Sequence, residues 1–311
     1  MRNTIQSLSI LIATKDRHSQ LQKLLDSICK STFLPNKVVI VFSGREISSI
    51  TSLFKRTLNI EVIHSVLASQ VSQKSLGIKA LGSSHDWVFF LDDDVVLEVD
   101  TIEKLFIEYL ANPVFEEYVG FGLSILNRST RKINSAILKF LKMFSLLSES
   151  PGAITKSGHA QSYLDNTKEI EVQWLNGISV WKSKVLDQYS DVQNNQSYSA
   201  YEDVNFSYKI SKSNKILFGP KARVINQKIE GNTPLTINQF LSGGYNRYKF
   251  VCTNSELSKW RLLAAQLIRG IDFIFRSNES SSIIARVKTS LNLWVKLFIL
   301  VLKRKNIGDR P

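Results

Sequence analysis

The first hundred residues alternate two kinds of apolar pattern, and that alternation limits the possible folds more than any other feature of the chain. Short, nearly unbroken apolar runs occupy residues 7–13, 37–42, 60–64 and 87–91. Runs of this length bounded by polar residues read as strands buried on both faces. Between them, residues 20–29, 47–58 and 71–81 carry apolar side chains at helical spacing, and a helix at 101–110 and a strand at 118–126 follow. Strands alternating with such helices imply parallel pairing, right-handed crossovers and an open α/β sheet. In such a sheet, ligands gather beyond the carboxyl ends of the strands. Two charged loops fall there: Thr14, Lys15, Asp16 and Arg17 after the first strand, and Asp92, Asp93 and Asp94 after the fourth.

The 311 residues are 43% hydrophobic and 22% charged, so a large core is available and a disordered or collagen-like chain is excluded. Two distant cysteines, Cys29 and Cys252, exclude a disulfide scaffold and a cysteine zinc site and suit a reducing compartment. The apolar run near the N-terminus is too short for a signal peptide, and no run reaches the length of a membrane span. A net charge of +13 favours anionic partners. That excess is concentrated in residues 254–311, where eleven Lys/Arg face four Asp/Glu.

Two amphipathic patterns run through the basic tail. One is Trp260, Leu263, Ala264, Leu267, Ile268, Ile271, Ile274 and Phe275; the other is Ile284, Val287, Leu291, Trp294, Val295, Phe298 and Leu302. Such stripes suit helices lying on an anionic membrane, or a helical hairpin packed on the catalytic domain. No nucleic-acid-reading motif accompanies the charge, so nucleic acid is not an expected partner. The expected organisation is a domain over residues 1–252 and a basic helical extension over 253–311. Residues 127–170, with a basic amphipathic segment at 133–147, are expected to form a variable insertion facing the substrate.

Phe89, Phe90 and Leu91 run straight into Asp92, Asp93 and Asp94. Three adjacent carboxylates repel one another and need a cation, and oxygen donors suit Mg²⁺ or Mn²⁺. A solvated turn before the next helix is the plainer alternative. Glu202 and Asp203 open a second acidic segment, read as a helix start because acidic residues favour that end and Lys209 and Lys212 lie beyond. A carboxylate there can serve as a general base if it points into the cleft. The four histidines, His18, His64, His85 and His159, show no metal-ligand spacing and read as structural or surface residues.

Taken in order, these segments resemble the family-2 glycosyltransferases of the GT-A fold, particularly non-processive bacterial members that build surface polysaccharides. The resemblance rests on Ala13 to Arg17, on Gln73 to Ile78, on the D-x-D segment Asp92 to Asp94, on Trp174 to Gly177, on Glu202 and Asp203, and on Gly244 to Tyr248. It implies inverting transfer of one sugar from a UDP-, dTDP- or GDP-linked donor to a lipid-linked or lipopolysaccharide- or capsule-type acceptor. The enzyme would be metal-dependent and peripheral on the cytoplasmic face of the cell membrane.

Carried over residue by residue, Thr14, Asp16, Arg17, Lys74, Asp92 and Asp93 would bind the nucleotide sugar. Asp94, Asp92 and Asn226 would hold Mn²⁺ or Mg²⁺, Asp203 would be the base with Glu202 beside it, and Trp174, Asn176, Gly177 and Arg247 would meet the acceptor. Three positions depart from the family pattern: no acidic residue ends the second strand, Asn226 stands where a histidine is common, and Ser75 replaces an asparagine. The Q-x-x-R-W signature of processive synthases is absent. Two alternatives remain, a catalytically silent membrane-bound relative and a haloacid-dehalogenase-like phosphatase using Asp92 and Asp94.

Overall fold

In the computed structural model the described residues are 7–82, 85–127, 150–191, 201–227, 236–276 and 282–303. The amphipathic segment at 133–147 lies outside them. The chain divides into two compact units. One comprises Met1–Ser129, Tyr163–Ser197 and Glu202–Glu230; the other comprises Thr130–Ser162, Tyr198–Tyr201 and Gly231–Pro311.

The first unit is built on a nine-stranded sheet. Its strands are β1 (Leu8–Lys15), β2 (Lys37–Ser43), β3 (Ile60–His64), β4 (Trp87–Asp92), β5 (Val95–Leu97), β6 (Tyr118–Leu126), β7 (Ile170–Glu171), β8 (Ser179–Lys182) and β9 (Lys215–Asn226). The order is β3-β2-β1-β4-β8-β6-β9-β5, with β7 paired to β9. β1 to β4 pair in parallel, as strands linked through helices must. Beyond β4 the sheet is mixed, with β8 antiparallel to both β4 and β6.

Alternate residues of the parallel strands feed two cores. Ile10, Ile12, Val38, Ile40, Phe89 and Leu91 face one, and Leu11, Val39, Val41, Val88 and Phe90 the other. Helix α1 (His18–Cys29) covers the first core with Leu21, Leu24, Leu25 and Ile28, the one-face spacing of a 3.6-residue repeat. Helix α3 (Gln70–Leu81) covers the second, placing Val71 and Leu81 inward.

Two elements are shorter or differently wound than the apolar pattern predicts. In residues 47–58 only α2 (Ser48–Thr51) is helical. There Thr51 and Ser52 donate their hydroxyls to the carbonyls of Ser48 and Ser49, local bonds that compete with the helical ladder. Helix α4 (Thr101–Leu105) continues as a π-helical turn over Phe106–Leu110, closed by the Ala111 N–H to the Phe106 carbonyl. Residues 174–178 form a loop before β8, in which the Asn176 N–H donates to the Tyr163 hydroxyl at 2.8 Å. Helix α5 (Glu202–Ser211) starts at the acidic pair, where carboxylates favour the positive end of the helix.

The second unit contains α6 (Ile237–Thr253), α7 (Lys259–Arg276) and α8 (Ile283–Leu302). A capping box fixes the start of α6: the Gln239 N–H donates to Thr236 Oγ1, and the Thr236 N–H to Gln239 Oε1. Gly244 lets Leu293 of α8 approach, since a methyl there would lie 2.7 Å from Leu293 Cδ2. Phe240 and Phe273 stack at 4.3 Å between α6 and α7. Thus α6, expected with the catalytic domain, groups with the basic tail. The expected apolar stripe of α7 also turns partly outward. Leu263 is buried, whereas Trp260, Leu267, Ile271 and Phe275 face solvent and Leu262, Ala265 and Phe273 face in.

Candidate active site

The sheet changes direction between β1 and β4, its topological switch point. Ala13 and Asp92 are partners in the ladder there, so the loops that follow emerge side by side. Thr14 Oγ1 donates to Asp93 Oδ2 at 2.7 Å, and Arg17 Nη1 donates to Asp93 Oδ1 at 2.8 Å and Asp94 Oδ2 at 3.1 Å. The cation beside the acidic trio is therefore partly supplied by the protein. Burial pushes the Asp93 carboxyl upward, opposed by the Thr14 hydrogen bond and by Arg17.

Asp92 turns to the other side. Its Oδ1 accepts from Gln70 Nε2 at 3.0 Å, and Gly177 sits against it so closely that a methyl there would lie 3.2 Å from Asp92 Oδ2. Lys74, one turn along α3 from Gln70, donates to Glu202 Oε1 at 2.8 Å with both side chains buried. Burial alone would lower the Lys74 pKa, but attraction to Glu202 and then Asp92 outweighs it, and the ammonium is held charged. Burial raises the Asp92 pKa, with Lys74 opposing.

Asp203 stands next to Glu202 at the first turn of α5, and its Oδ1 accepts from the Val204 N–H at 2.8 Å. Burial and then repulsion from Glu202 push its carboxyl up to about 6. A carboxylate poised there can accept a proton near neutrality. Glu202 Oε2 is buried and accepts no hydrogen bond.

Asp16 has a left-handed backbone (φ 55) and lies over Gly44 at the end of β2, accepting from the Arg45 N–H at 2.8 Å. A side chain at Gly44 would strike Asp16 Oδ1 at 2.3 Å. The acidic residue absent from the end of the second strand thus has a counterpart reaching over from the first. Trp174 packs edge-on against Tyr163, with ring centroids 5.0 Å apart. Arg247 belongs to the second unit.

Three amides do structural work that composition gives no hint of. Gln73 Nε2 donates to the carbonyls of Thr14 (2.8 Å) and Val41 (3.0 Å), tying α3 to the ends of β1 and β2. Gln70 orients Asp92. Gln227 donates its N–H to the Asp94 carbonyl at 2.8 Å and its side-chain amide to the Val95 carbonyl at 2.9 Å. Helical spacing of Gln70, Gln73, Lys74 and Gly77 is the one signal that points to the first two.

For a divalent cation the available donors are hard oxygens. Asn226 pairs with Val95, one residue past Asp94, so a carboxylate and a carboxamide flank the end of the β5–β9 ladder. Among the described residues no group of three His, Cys, Asp or Glu side chains is placed to hold a metal ion. This donor set fits an ion shared with substrate phosphates, as Mg²⁺ commonly is, and not a closed protein cage. A cleft of about 650 Å³ lined by Ile78, Gly82, His85 and Asp187 lies at the opposite end of β4, away from these carboxylates.

A mixed α/β sheet with flanking helices and acidic loops at its switch point defines the GT-A glycosyltransferase fold. Residues 9–156, just under half of the chain, match the profile of glycosyl transferase family 2. No curated protein sequence matches the chain. Among solved structures, the mannosyltransferase PcManGT of Pyrobaculum calidifontis, in complex with GDP-Man and Mn²⁺, superposes with a TM-score of 0.54 at 11% identity, over 97% of this chain and 89% of that one. S. aureus TarS 1–349 with UDP gives 0.53 at 14% identity over 98% and 94%. A longer S. aureus TarS gives 0.50 at 12% identity; 94% of this chain is covered but only 43% of the TarS chain. At such identities the likeness is one of fold.

Proposed function

We propose that this glycosyltransferase moves one sugar, with inversion, from a nucleotide diphosphate sugar to a hydroxyl of a lipid-linked or lipopolysaccharide- or capsule-type saccharide. The observation that carries this reading is the gathering of the strand-end carboxylate Asp92 and the Glu202–Asp203 pair around one buried ammonium, Lys74. In a single displacement a base must act on one face of the anomeric carbon while the diphosphate departs from the other. Asp203 is the better base of the acidic pair, since Glu202 already binds Lys74 and Asp203 is poised near 6.

Thr14, Asp16, Arg17, Lys74, Asp92 and Asp93 bind the nucleotide sugar, and Trp174, Asn176 and Gly177 shape the acceptor side. Asp94, with Asn226 as a neutral oxygen donor and Asp92 nearby, would hold Mn²⁺ or Mg²⁺; when bound, the ion supplies charge neutralisation to the diphosphate leaving group. Fold neighbours bound to GDP-Man with Mn²⁺ and to UDP support a donor of this class.

No described helix is long and apolar enough to cross a membrane. The outward faces of α7 and α8 nevertheless carry Leu267, Ile271, Phe275, Ile284, Leu291 and Val295, with Lys288 and Lys296 exposed beside the last two. Apolar side chains flanked by lysines suit the surface of an anionic bilayer and support the reading of a peripheral enzyme on the cytoplasmic face.

A panel of UDP-, dTDP- and GDP-sugars scored for Mn²⁺-dependent thermal stabilisation identifies the donor. Asp94→Ala is expected to abolish that stabilisation, and Asp203→Asn to spare it while stopping transfer. Normal transfer by Asp203→Asn overturns the base assignment.

A further inference from the structure

Within the second unit, two guanidinium groups share a buried region in which no described carboxylate balances them. Arg247 on α6 is 4% exposed and spends its Nε–H on the Tyr201 hydroxyl at 2.9 Å, with its guanidinium over the Tyr201 ring at 5.0 Å. Arg269 reaches across from α7 to the same face of α6. Its Nη2 would lie 3.9 Å from a methyl at Gly243, one helical turn before Arg247, and its Nη1 is buried without a hydrogen-bond partner. Among the described residues no carboxylate lies within ion-pair distance of either group; exposed Asp272, one turn along α7, attracts Arg269 only weakly. The repulsion of Arg247, and then burial, lowers the Arg269 pKa to about 10.

The third member of the group is His159. Gly158 packs against the Arg247 stem, and burial with repulsion from Arg247 and Arg269 lowers the His159 pKa to about 3. The helices that carry the arginines also hold Asn246 and Gln266, both buried with every side-chain amide atom unpartnered. Tyr201, which anchors Arg247, keeps a left-handed backbone at φ 74, a conformation a non-glycine residue rarely adopts. Uncompensated buried cations are costly, and a fork of two guanidiniums matches the oxygens of a phosphoryl group.

We infer that Arg247, Arg269, Tyr201 and His159 form an anion site in the second unit that takes a phosphoryl group of the sugar acceptor. This deepens the transferase reading by giving the acceptor a phosphate, and it rests on that reading for the word acceptor alone. Phosphate binding is measured without donor or turnover, so its failure leaves the transferase assignment standing.

The full-length protein is titrated in metal-free buffer with inorganic phosphate, following the melting temperature and the His159 ring resonances. Saturable binding is expected to raise both the melting temperature and the His159 pKa, because a bound anion cancels the field of the two arginines. Arg269→Gln is expected to weaken phosphate binding about tenfold or more, with UDP and GDP binding unchanged. If that variant does not fold, Gly243→Asp keeps the inference testable. The space beside Gly243 admits a side chain, and a carboxylate there should raise the melting temperature and abolish phosphate binding.

Vesicles of phosphatidic acid separate a lipid headgroup from a soluble sugar phosphate. Protection of His159 by vesicles alone assigns the phosphate to a lipid-linked acceptor, and protection by a sugar phosphate alone to a soluble one. Absence of saturable binding, an unmoved His159 pKa, a Gly243→Asp protein that still binds phosphate, or one-for-one competition between phosphate and UDP or GDP would each overturn the inference.

Discussion

Lys74 is the residue on which the two acidic segments depend. Its ammonium holds Glu202 at 2.8 Å, with neither side chain more than 5% exposed, and it offsets Asp92. Removing one partner of a buried ion pair leaves the other uncompensated, so Lys74→Met should lose about 3–5 kcal/mol of stability in urea unfolding. Lys74→Met with Glu202→Leu should recover most of it while remaining inactive, which separates folding from chemistry. As the proposed base, Asp203 should set the pH response of the reaction. Its folded pKa of about 6 means that the basic form vanishes as pH falls through that value. The log of kcat/KM should therefore fall with unit slope below about pH 6, and a profile flat to pH 5 would exclude Asp203 as the base. The residue types at these positions were legible as chemistry. That Arg17 faces the trio was not, because nothing in the spacing of residues 17 and 93 places them 2.8 Å apart.

At the level of elements, the strands β1, β2, β3, β4 and β6 and the helices α1 and α3 follow from the apolar pattern within one or two residues, and α5 follows from its acidic start. Each is buried in a way that matches its period. The failure over residues 52–58 is local: hydroxyls of Thr51 and Ser52 bond to carbonyls of the preceding turn and compete with its helical ladder. Contact between α3 and β1 is tight enough to test. A methyl at Gly77 would lie 2.1 Å from Leu11 Cδ1, so Gly77→Ala should cost about 1–3 kcal/mol and displace Lys74 and Gln73 from the site. Phe89→Ala, in the centre of β4, empties a fully buried site and should cost about 3–5 kcal/mol, read by denaturant midpoint.

For the molecule as a whole, the charge of +13 and its concentration beyond residue 254 predicted anionic partners. Binding to anionic vesicles should weaken steeply with added salt, and Ile271→Glu with Val295→Glu should release the protein; retention by both would mean that these faces do not meet a bilayer. The buried histidine gives the second unit an acid sensitivity. His159 is held neutral with a folded pKa of about 3, against 6.5 unfolded, so the unfolded chain binds the extra proton between those values and stability falls as pH drops from about 6.5. Asp203 acts oppositely, its folded pKa exceeding 3.8, so its protonation favours the folded state as pH falls from about 6. His159→Gln should flatten the acid arm of the unfolding free energy in phosphate-free buffer, and an unchanged slope would rule out its burial as the cause.

Local periodicity and residue chemistry were enough to dictate the parallel sheet, its helices and the two acidic loops, because a strand or helix buries its apolar face wherever it is placed. Which carboxylate meets Arg17, which meets Lys74, and how two arginines on separate helices come to lie together with no described carboxylate beside them depend on contacts between residues up to 128 positions apart. Only packing in three dimensions fixes those contacts, since burial turns a surface charge into one that must find a partner.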